Sequence, residues 1–325
     1  MPWLTPNVFK QAADEALVRL PRYSDGPKRV RFRHIIHAYR DQQLPQNTAV
    51  QGITFETVLQ AAKHAAPEFP VTCVAVTYPE DRDLVPSGIA AARPLSRVVG
   101  DVATFKVSRV LPLLFDVLKL GAEVEWTARR EPNWLKLWHS KSTSESRPTD
   151  ETEYVVMTNS DIHVQPAFYR VLATLIAQGY DVITVNRRTL DVDLNDRDFS
   201  PLFMADHGKD HGGFDCFVFP QSMMDSFVES TSCCGAGHVM RSLLFNLVAH
   251  ANRFLMLTQA HLTYHLGDDQ VWNTEPLKDY IDYNIAQGRA VIASLSQDPA
   301  KAQRLAEFVA AHEPAVYAGA WLAKS

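Results

Sequence analysis

Two observations in the chain predict an α/β fold with a mainly parallel sheet. From residue 30 onward, short apolar strand-like runs alternate with runs of helical periodicity. Within that alternation, Tyr154 to Met157 read as a buried strand, and Thr158-Asn159-Ser160-Asp161 as a polar turn ending in a lone carboxylate. Pro166 then opens a helix with Phe168, Val171, Leu172, Leu175 and Ile176 at helical spacing. An aspartate at the carboxyl end of a central parallel strand stands where open α/β sheets place their ligands. The plainer reading of the same segment is a helix-capping or turn aspartate.

The elements follow in order. Residues 30–39 are the first strand. A helix over 54–66 puts Phe55, Val58, Leu59 and Ala62 on one face, and 71–77 form the second strand, followed by the acidic turn Pro79-Glu80-Asp81-Arg82-Asp83. A helix over 112–120 tolerates Pro112 in its first turn, and 122–126 form a further short strand or extended segment. Residues 139–150, rich in Ser, Thr and charge, have no apolar periodicity and read as a mobile surface loop. After the helix at 166–178, Gly179 ends the turn and 181–185 form the next strand. The segment 187–211 reads as polar and irregular, and 214–219 as another apolar strand. Residues 237–252 read as an amphipathic helix with Met240, Leu243, Leu244, Leu247, Val248 and Ala251 in phase. The stretch from Pro299 to about His312 is also helical. No internal repeat or low-complexity linker divides the chain. The expected organisation is an N-terminal extension over 1–29, one domain over 30–275, and a C-terminal helical segment over 276–325 packed on that domain.

With 325 residues the chain has ample material for a core, and 46% apolar and 21% charged residues make an ordinary globular balance. Lys and Arg number 32 against 37 Asp and Glu, a net charge of −5, so there is no electrostatic case for a nucleic-acid or anionic-membrane partner. Cys73, Cys216, Cys233 and Cys234 show neither CxxC spacing nor a disulfide framework. The first residues lack the basic-then-apolar pattern of a signal peptide, and no apolar run approaches the ~20 residues of a membrane span. The chain reads as cytoplasmic.

Three segments combine carboxylates or imidazoles with glycines or strand ends: Thr158-Asn159-Ser160-Asp161, His211-Gly212-Gly213-Phe214-Asp215 running into the strand at Phe219, and Tyr264-His265-Leu266-Gly267-Asp268-Asp269-Gln270-Val271-Trp272. As an ordered set over residues 30 to 275 they resemble a glycosyltransferase of the GT-A fold, a Rossmann-like sheet flanked by helices. More narrowly, they resemble the poorly characterised bacterial and plant proteins of the family-2-like group. The resemblance implies a nucleotide-sugar site over the first half of the sheet, closed by the acceptor side in the second half.

It also implies roles. Asn159-Ser160-Asp161 stands in place of the Asp-x-Asp motif, with an amide where the first carboxylate is expected. One carboxylate, donor phosphates and waters can still satisfy magnesium or manganese, so the expected cofactor is a divalent cation held by Asp161, with His265 either completing its shell or bonding a buried backbone group. Asn159 and Ser160 face the donor; an amide at 159 is a weaker ligand, or bonds the ribose. His37-Ala38-Tyr39 occupies the position where such folds meet the nucleotide, Tyr39 being able to stack on a base. Asp81 can accept a bond from the base or ribose, and Arg109 can offset diphosphate charge through its forked donors. Asp215, Asp268 and Asp269 are the possible catalytic bases, Asp269 being favoured as base and Asp215 as acceptor ligand. Gly212-Gly213 would let the backbone approach a sugar closely. His250 and His261 read as structural, and His207 and His211 as loop histidines that could touch the acceptor.

The expected partners are a nucleoside-diphosphate sugar and a carbohydrate or small-molecule acceptor. A sugar-phosphate nucleotidyltransferase is the rival enzyme class. It would want a glycine-rich, basic loop after the first strand, and Asp41-Gln42-Gln43-Leu44-Pro45-Gln46 lacks those glycines. A non-catalytic nucleotide-sugar-binding relative is the third reading, which Asn159 keeps open.

Overall fold

The computed structural model describes residues 29–40, 46–66, 68–125, 151–192, 205–267 and 274–312. Asp268, Asp269, the loop expected at 139–150 and nearly all of the expected N-terminal extension lie outside the described residues.

The seven strands of the main sheet are β1 (Arg29–His37), β2 (Val71–Val76), β3 (Ala90–Ala91), β4 (Glu151–Thr158), β6 (Val182–Val185), β9 (Cys216–Pro220) and β10 (Phe254–Leu257). They lie in the order β10-β6-β9-β4-β1-β2-β3. All pairs are parallel except those of β9, which runs antiparallel to both β4 and β6. The mainly parallel α/β sheet expected from the alternation is therefore present. A smaller sheet packs β5 (His163–Val164), β11 (Thr263–Leu266), β7 (Arg188–Leu190) and β8 (Lys209–Asp210) in that order.

Alternate residues of the central strands feed two cores. Ile35, Val155 and Met157 pack on one face with helix α2 (Leu114–Ala122), α4 (Arg241–His250), α5 (Lys278–Leu295) and α6 (Pro299–His312). Phe32, Ile36, Tyr154 and Val156 pack on the other with α1 (Gln46–Ala65) and α3 (Phe168–Ala177). Burial on both faces explains why these strands read as near-continuous apolar runs. Among the described residues, all four cysteines are free.

Four sequence expectations need correction. Residues 122–126 do not form a strand in their described part: α2 runs to Ala122 and a turn follows. That helix also starts at Leu114, not Pro112, because the preceding backbone is already taken: Pro112 O accepts from Cys234 N at 2.9 Å, and Leu114 N donates to Ser232 O at 2.8 Å. Segment 187–211 is not uniformly irregular, since β7 and β8 arise from it. The helix at 237–252 shortens to α4 and is buried from Ser242 to Ala249 instead of exposing a polar face. Its buried Asn246 and Ser242 are satisfied within the fold. Asn246 accepts from Val228 N at 2.7 Å and donates to Val228 O at 2.9 Å, and Ser242 Oγ meets Ser232 Oγ at 2.6 Å. The outer face that looks amphipathic in isolation is covered by α5 and α6.

Buried histidines sit inside this frame. His34, fully buried on β1, bonds Tyr169 Oη at 2.7 Å and Thr158 Oγ1 at 2.9 Å, and burial pushes its imidazole down to about 3. His163 is likewise fully buried and held down to about 4, chiefly by burial. Both pKa values fall on folding, so below about 6.5 the unfolded chain takes up protons that the native state refuses. Stability is then lost as pH falls from about 6.5 toward the folded values, roughly 2 kcal/mol per histidine by pH 5. We expect the urea midpoint to drop steeply between pH 7 and 5, and His34→Gln to flatten that slope. A flat profile in the unmodified protein would show that these imidazoles are not neutral when folded.

Candidate active site

The carboxyl ends of β1, β2, β4 and β6 open onto one cleft of about 1700 Å³. Its walls include His37, Tyr39, Asp81, Arg109, Asn159, Ser160, Asp161, Asp215 and His265, drawn from well-separated stretches of chain. Ala38 differs: it turns into the core, fully buried, and donates its N–H to Val76 O at 3.0 Å. A strand alternates its side chains, so His37 and Tyr39 can face the cleft only if Ala38 does not.

The His37–Tyr39 end of the cleft is more rigid than the sequence suggests. The rings of His37 and Tyr39 stack with centroids 5.5 Å apart and planes at 11°. Gln51 of α1 fixes the Tyr39 backbone from both sides, accepting from Tyr39 N at 3.1 Å and donating to Tyr39 O at 2.7 Å. Burial holds His37 down to about 4, and its Nε2 makes no hydrogen bond. Asp81 sits in the 3-10 turn Pro79–Leu84, and burial raises its carboxyl above the ordinary range. Arg109 is half-buried, and its Nε is buried without a hydrogen bond.

At the end of β4, the Asp161 carboxylate faces the cleft with its side chain 41% exposed, and Oδ2 lies 3.2 Å from His265 Nε2. His265 Nδ1 donates to Gly267 O at 2.7 Å. An imidazole with an acceptor at each nitrogen favours the doubly protonated form. Burial opposes that charge, but the hydrogen bond and charge of Asp161 outweigh it and raise the His265 pKa. Burial likewise opposes ionisation of Asp161. The hydrogen bond and charge of His265, with the charge of Arg187, override it and hold the carboxyl well below the usual range. The parallel pairing of β11 with β7 and the antiparallel pairing with β5 bring these two residues together across 104 positions.

Asp215 stands beside them because β9 runs antiparallel to β4. The register pairs Thr158 with Cys216, which makes Asn159 and Asp215 neighbours, and Asn159 Nδ2 donates to Asp215 Oδ1 at 3.4 Å. Arg187 Nε and His211 Nε2 each lie 3.8 Å from Asp215 Oδ2, an oxygen that is buried without a hydrogen bond. A Cβ at Gly213 would fall 2.5 Å from His211 Nε2, so a side chain there would displace the His211 ring.

A divalent cation fits two of these residues. Asp161 Oδ1 is buried without a hydrogen bond, and His265 Nε2 becomes a ligand nitrogen once its proton is displaced. Among the described residues no third acidic, thiol or imidazole group converges on the same point. Phosphate oxygens and water would have to complete the shell, as they do for many magnesium sites.

Sequence patterns alone do not single out Arg187, His238, Arg241 or Gln51, and they leave His211 as a loop residue able to touch the acceptor but with no role of its own. Arg187 is legible by the logic that singles out Asp161: it follows shortly after the apolar strand β6, at the same edge of the sheet. The 3-residue strand β7 beginning at Arg188 is too short to signal that this polar segment is anchored.

No family model and no curated protein sequence matches the chain. Among solved structures, the chain is similar to S. aureus TarS, residues 1–349. The structure without ligand has a TM-score of 0.47 and 10% identity over 91% of this chain and 78% of that one. The complex with UDP-GlcNAc has a TM-score of 0.43 and 11% identity over 91% and 79%, and the complex with UDP 0.44 and 14% over 91% and 75%. Among the described residues, no helix is long and apolar enough to cross a membrane.

Proposed function

We propose that the chain is a glycosyltransferase that binds a nucleoside-diphosphate sugar in this cleft and moves the sugar to an acceptor hydroxyl, assisted by magnesium or manganese. The observation carrying this reading is the convergence of the Asp161–His265 pair, Asp215, Asp81, Arg109 and the stacked His37–Tyr39 rings on one strand-end cleft. A nucleoside diphosphate needs an apolar plate, a hydroxyl acceptor and positive charge, and the cleft offers each.

In this reading Tyr39 stacks on the base and Asp81 accepts a bond from base or ribose. Arg109 holds the diphosphate with its forked donors. Asp161 and His265 would hold the cation, which when bound supplies charge that stabilises the departing diphosphate. Asp215, kept anchored by Asn159 and Arg187, accepts a hydrogen bond from a sugar or acceptor hydroxyl through Oδ2. Holding donor and acceptor in line supplies much of the rate. The acceptor is a carbohydrate or small molecule.

A thermal-shift screen of nucleoside diphosphates and their sugars, with and without manganese, tests the reading. A ligand bound only by the native state stabilises by about 2.7 kcal/mol at a hundredfold excess over its dissociation constant. At least one diphosphate should shift the midpoint more than its monophosphate. Silence across the whole panel would overturn the proposal, and consumption of a nucleoside triphosphate with a sugar phosphate would point to the nucleotidyltransferase class instead.

A further inference from the structure

Two charged side chains in the cleft wall are buried without the hydrogen bonds that burial calls for. Arg187 is 4% exposed and Asp215 7%, and both line the cleft. Arg187 Nε lies 3.8 Å from Asp215 Oδ2, too far for a hydrogen bond, and each of these two atoms is buried without one. The other oxygen of Asp215 has only a long bond from Asn159 Nδ2, at 3.4 Å. The strands fix this arrangement. β9 runs antiparallel to β6 with Val185 opposite Cys216, so the chain leaving β6 at Asn186 and Arg187 passes the chain entering β9 at Asp215. Neither group can be moved far without breaking that register.

The chemistry of the missing partner follows from the two groups themselves. Arginine keeps its charge and only donates, whereas a carboxylate only accepts. A partner that completes both must accept from Arg187 and donate to Asp215. A phosphate oxygen accepts, but it has no proton to give and would bring a second anion against the Asp215 carboxylate. An ammonium group donates, but it would face the guanidinium. A hydroxyl does both, and two neighbouring hydroxyls on a sugar ring offer an acceptor and a donor side by side.

We propose that Arg187 and Asp215 form a clamp for hydroxyl groups of the sugar that the donor carries, Arg187 donating to a hydroxyl oxygen and Asp215 accepting from the same hydroxyl or its ring neighbour. The proposal rests on the glycosyltransferase reading above, and it makes Arg187 a residue that selects the sugar, distinct from Arg109 on the diphosphate. The clamp belongs to the donor because it adjoins the place given to the diphosphate. Asn159, which bonds Asp215, stands two residues before Asp161 in the turn after β4. The charge of Arg187 is felt at both Asp161 and His265. The group next to a diphosphate held there is the sugar attached to it. A ring that lacks the clamped hydroxyl leaves the guanidinium and the carboxylate unpaired again, the kind of mismatch that a binding site rejects most strongly.

The test titrates the full chain, in manganese, with UDP, GDP and dTDP, then with UDP-glucose, UDP-galactose, UDP-N-acetylglucosamine, GDP-mannose and dTDP-glucose, and reads affinities by calorimetry. Arg187→Met should weaken the best-bound diphosphate sugar by about ten- to a hundredfold, the scale of a hydrogen bond to a charged group, and leave the bare diphosphate unchanged. Asp215→Asn should show the same selective loss. The double variant should lose no more than the worse single one, because both side chains act on one hydroxyl pair. Arg187→Lys keeps the charge opposite Asp215 without the fork. It should fold normally and show part of the selective loss, so it carries the test if Arg187→Met unfolds. Equal losses for the diphosphate and its sugar would overturn the proposal and put the guanidinium on the diphosphate. Unchanged affinity for the sugar in all three single variants, or a chain that binds a diphosphate but none of the sugars, overturns the clamp and leaves the nucleotide site standing. If no diphosphate or sugar binds the unmodified chain, the glycosyltransferase reading fails and the clamp fails with it.

Discussion

Asp161→Asn is expected to lower turnover by about 10²–10³-fold, the range seen when one preorganised electrostatic group is removed from a reacting site, while the thermal midpoint hardly moves. The carboxylate lies outside the core with its side chain 41% exposed, and the amide oxygen can still accept from His265 Nε2. The partial exposure of Asp161 discounts the pair's contribution, although His265 itself is buried. What disappears is the charge. The His265 pKa, raised by the bond and charge of Asp161, should fall, because burial and the charge of Arg187 then meet only the hydrogen bonds to Gly267 O and to the neutral amide. Steady-state release of nucleoside diphosphate, measured at saturating manganese beside a denaturation curve, checks both halves. Near-normal turnover would remove Asp161 from the mechanism. A collapse of stability would show that the Asp161–His265 pair fastens the small sheet instead of serving the cleft.

The legible part of this chain is the part governed by local rules. Apolar runs of strand length, separated by helical stretches, announce the sheet, and the turn after β4 announces its own exposed edge through Asn159-Ser160-Asp161. Strand ends point one way in a parallel sheet, so His37, Asp81 and Asp161 can be placed on one rim before their contacts are known. The illegible part depends on pairing between distant segments. That β9 turns antiparallel between two parallel neighbours is not encoded in Cys216 to Pro220, yet it sets Asp215 beside Asn159. The expectation for Ala38 fails because it has three consecutive residues facing one way, which a strand forbids. The face of α4 looks solvent-exposed in the sequence because nothing local predicts that α5 and α6 return to cover it.

Glu153→Gln is expected to cost about 3–5 kcal/mol, the range for breaking a buried ion pair from one side. The parallel register sets Arg31 directly beside Glu153 across the centre of the sheet. Arg31 Nη2 and Arg33 Nε reach its two oxygens at 2.5 Å each, and Arg31 Nη1 adds Glu151 at 3.3 Å. All three side chains of the core triad are buried, with at most 8% exposed. The amide can accept one of these bonds but cannot balance two guanidiniums, and neither arginine can shed its proton to escape the cost. Arg33 has a second duty, donating through Nη1 to Val124 O at 2.6 Å just past the end of α2, so it is pinned in place and cannot swing out to water. Against a total stability of about 5–15 kcal/mol for a typical domain, a loss of that size is severe. Urea unfolding should show the midpoint falling with its slope unchanged. Glu151→Gln, on the rim of the same cluster, should cost far less, because Arg31 keeps Glu153. Exchanging Arg31 and Glu153 together for apolar residues of similar volume should recover only part of the loss, since Arg33 would still lack the acceptor for its Nε. Equal costs for Glu151→Gln and Glu153→Gln would mean that the register between β1 and β4 is not what holds these charges together.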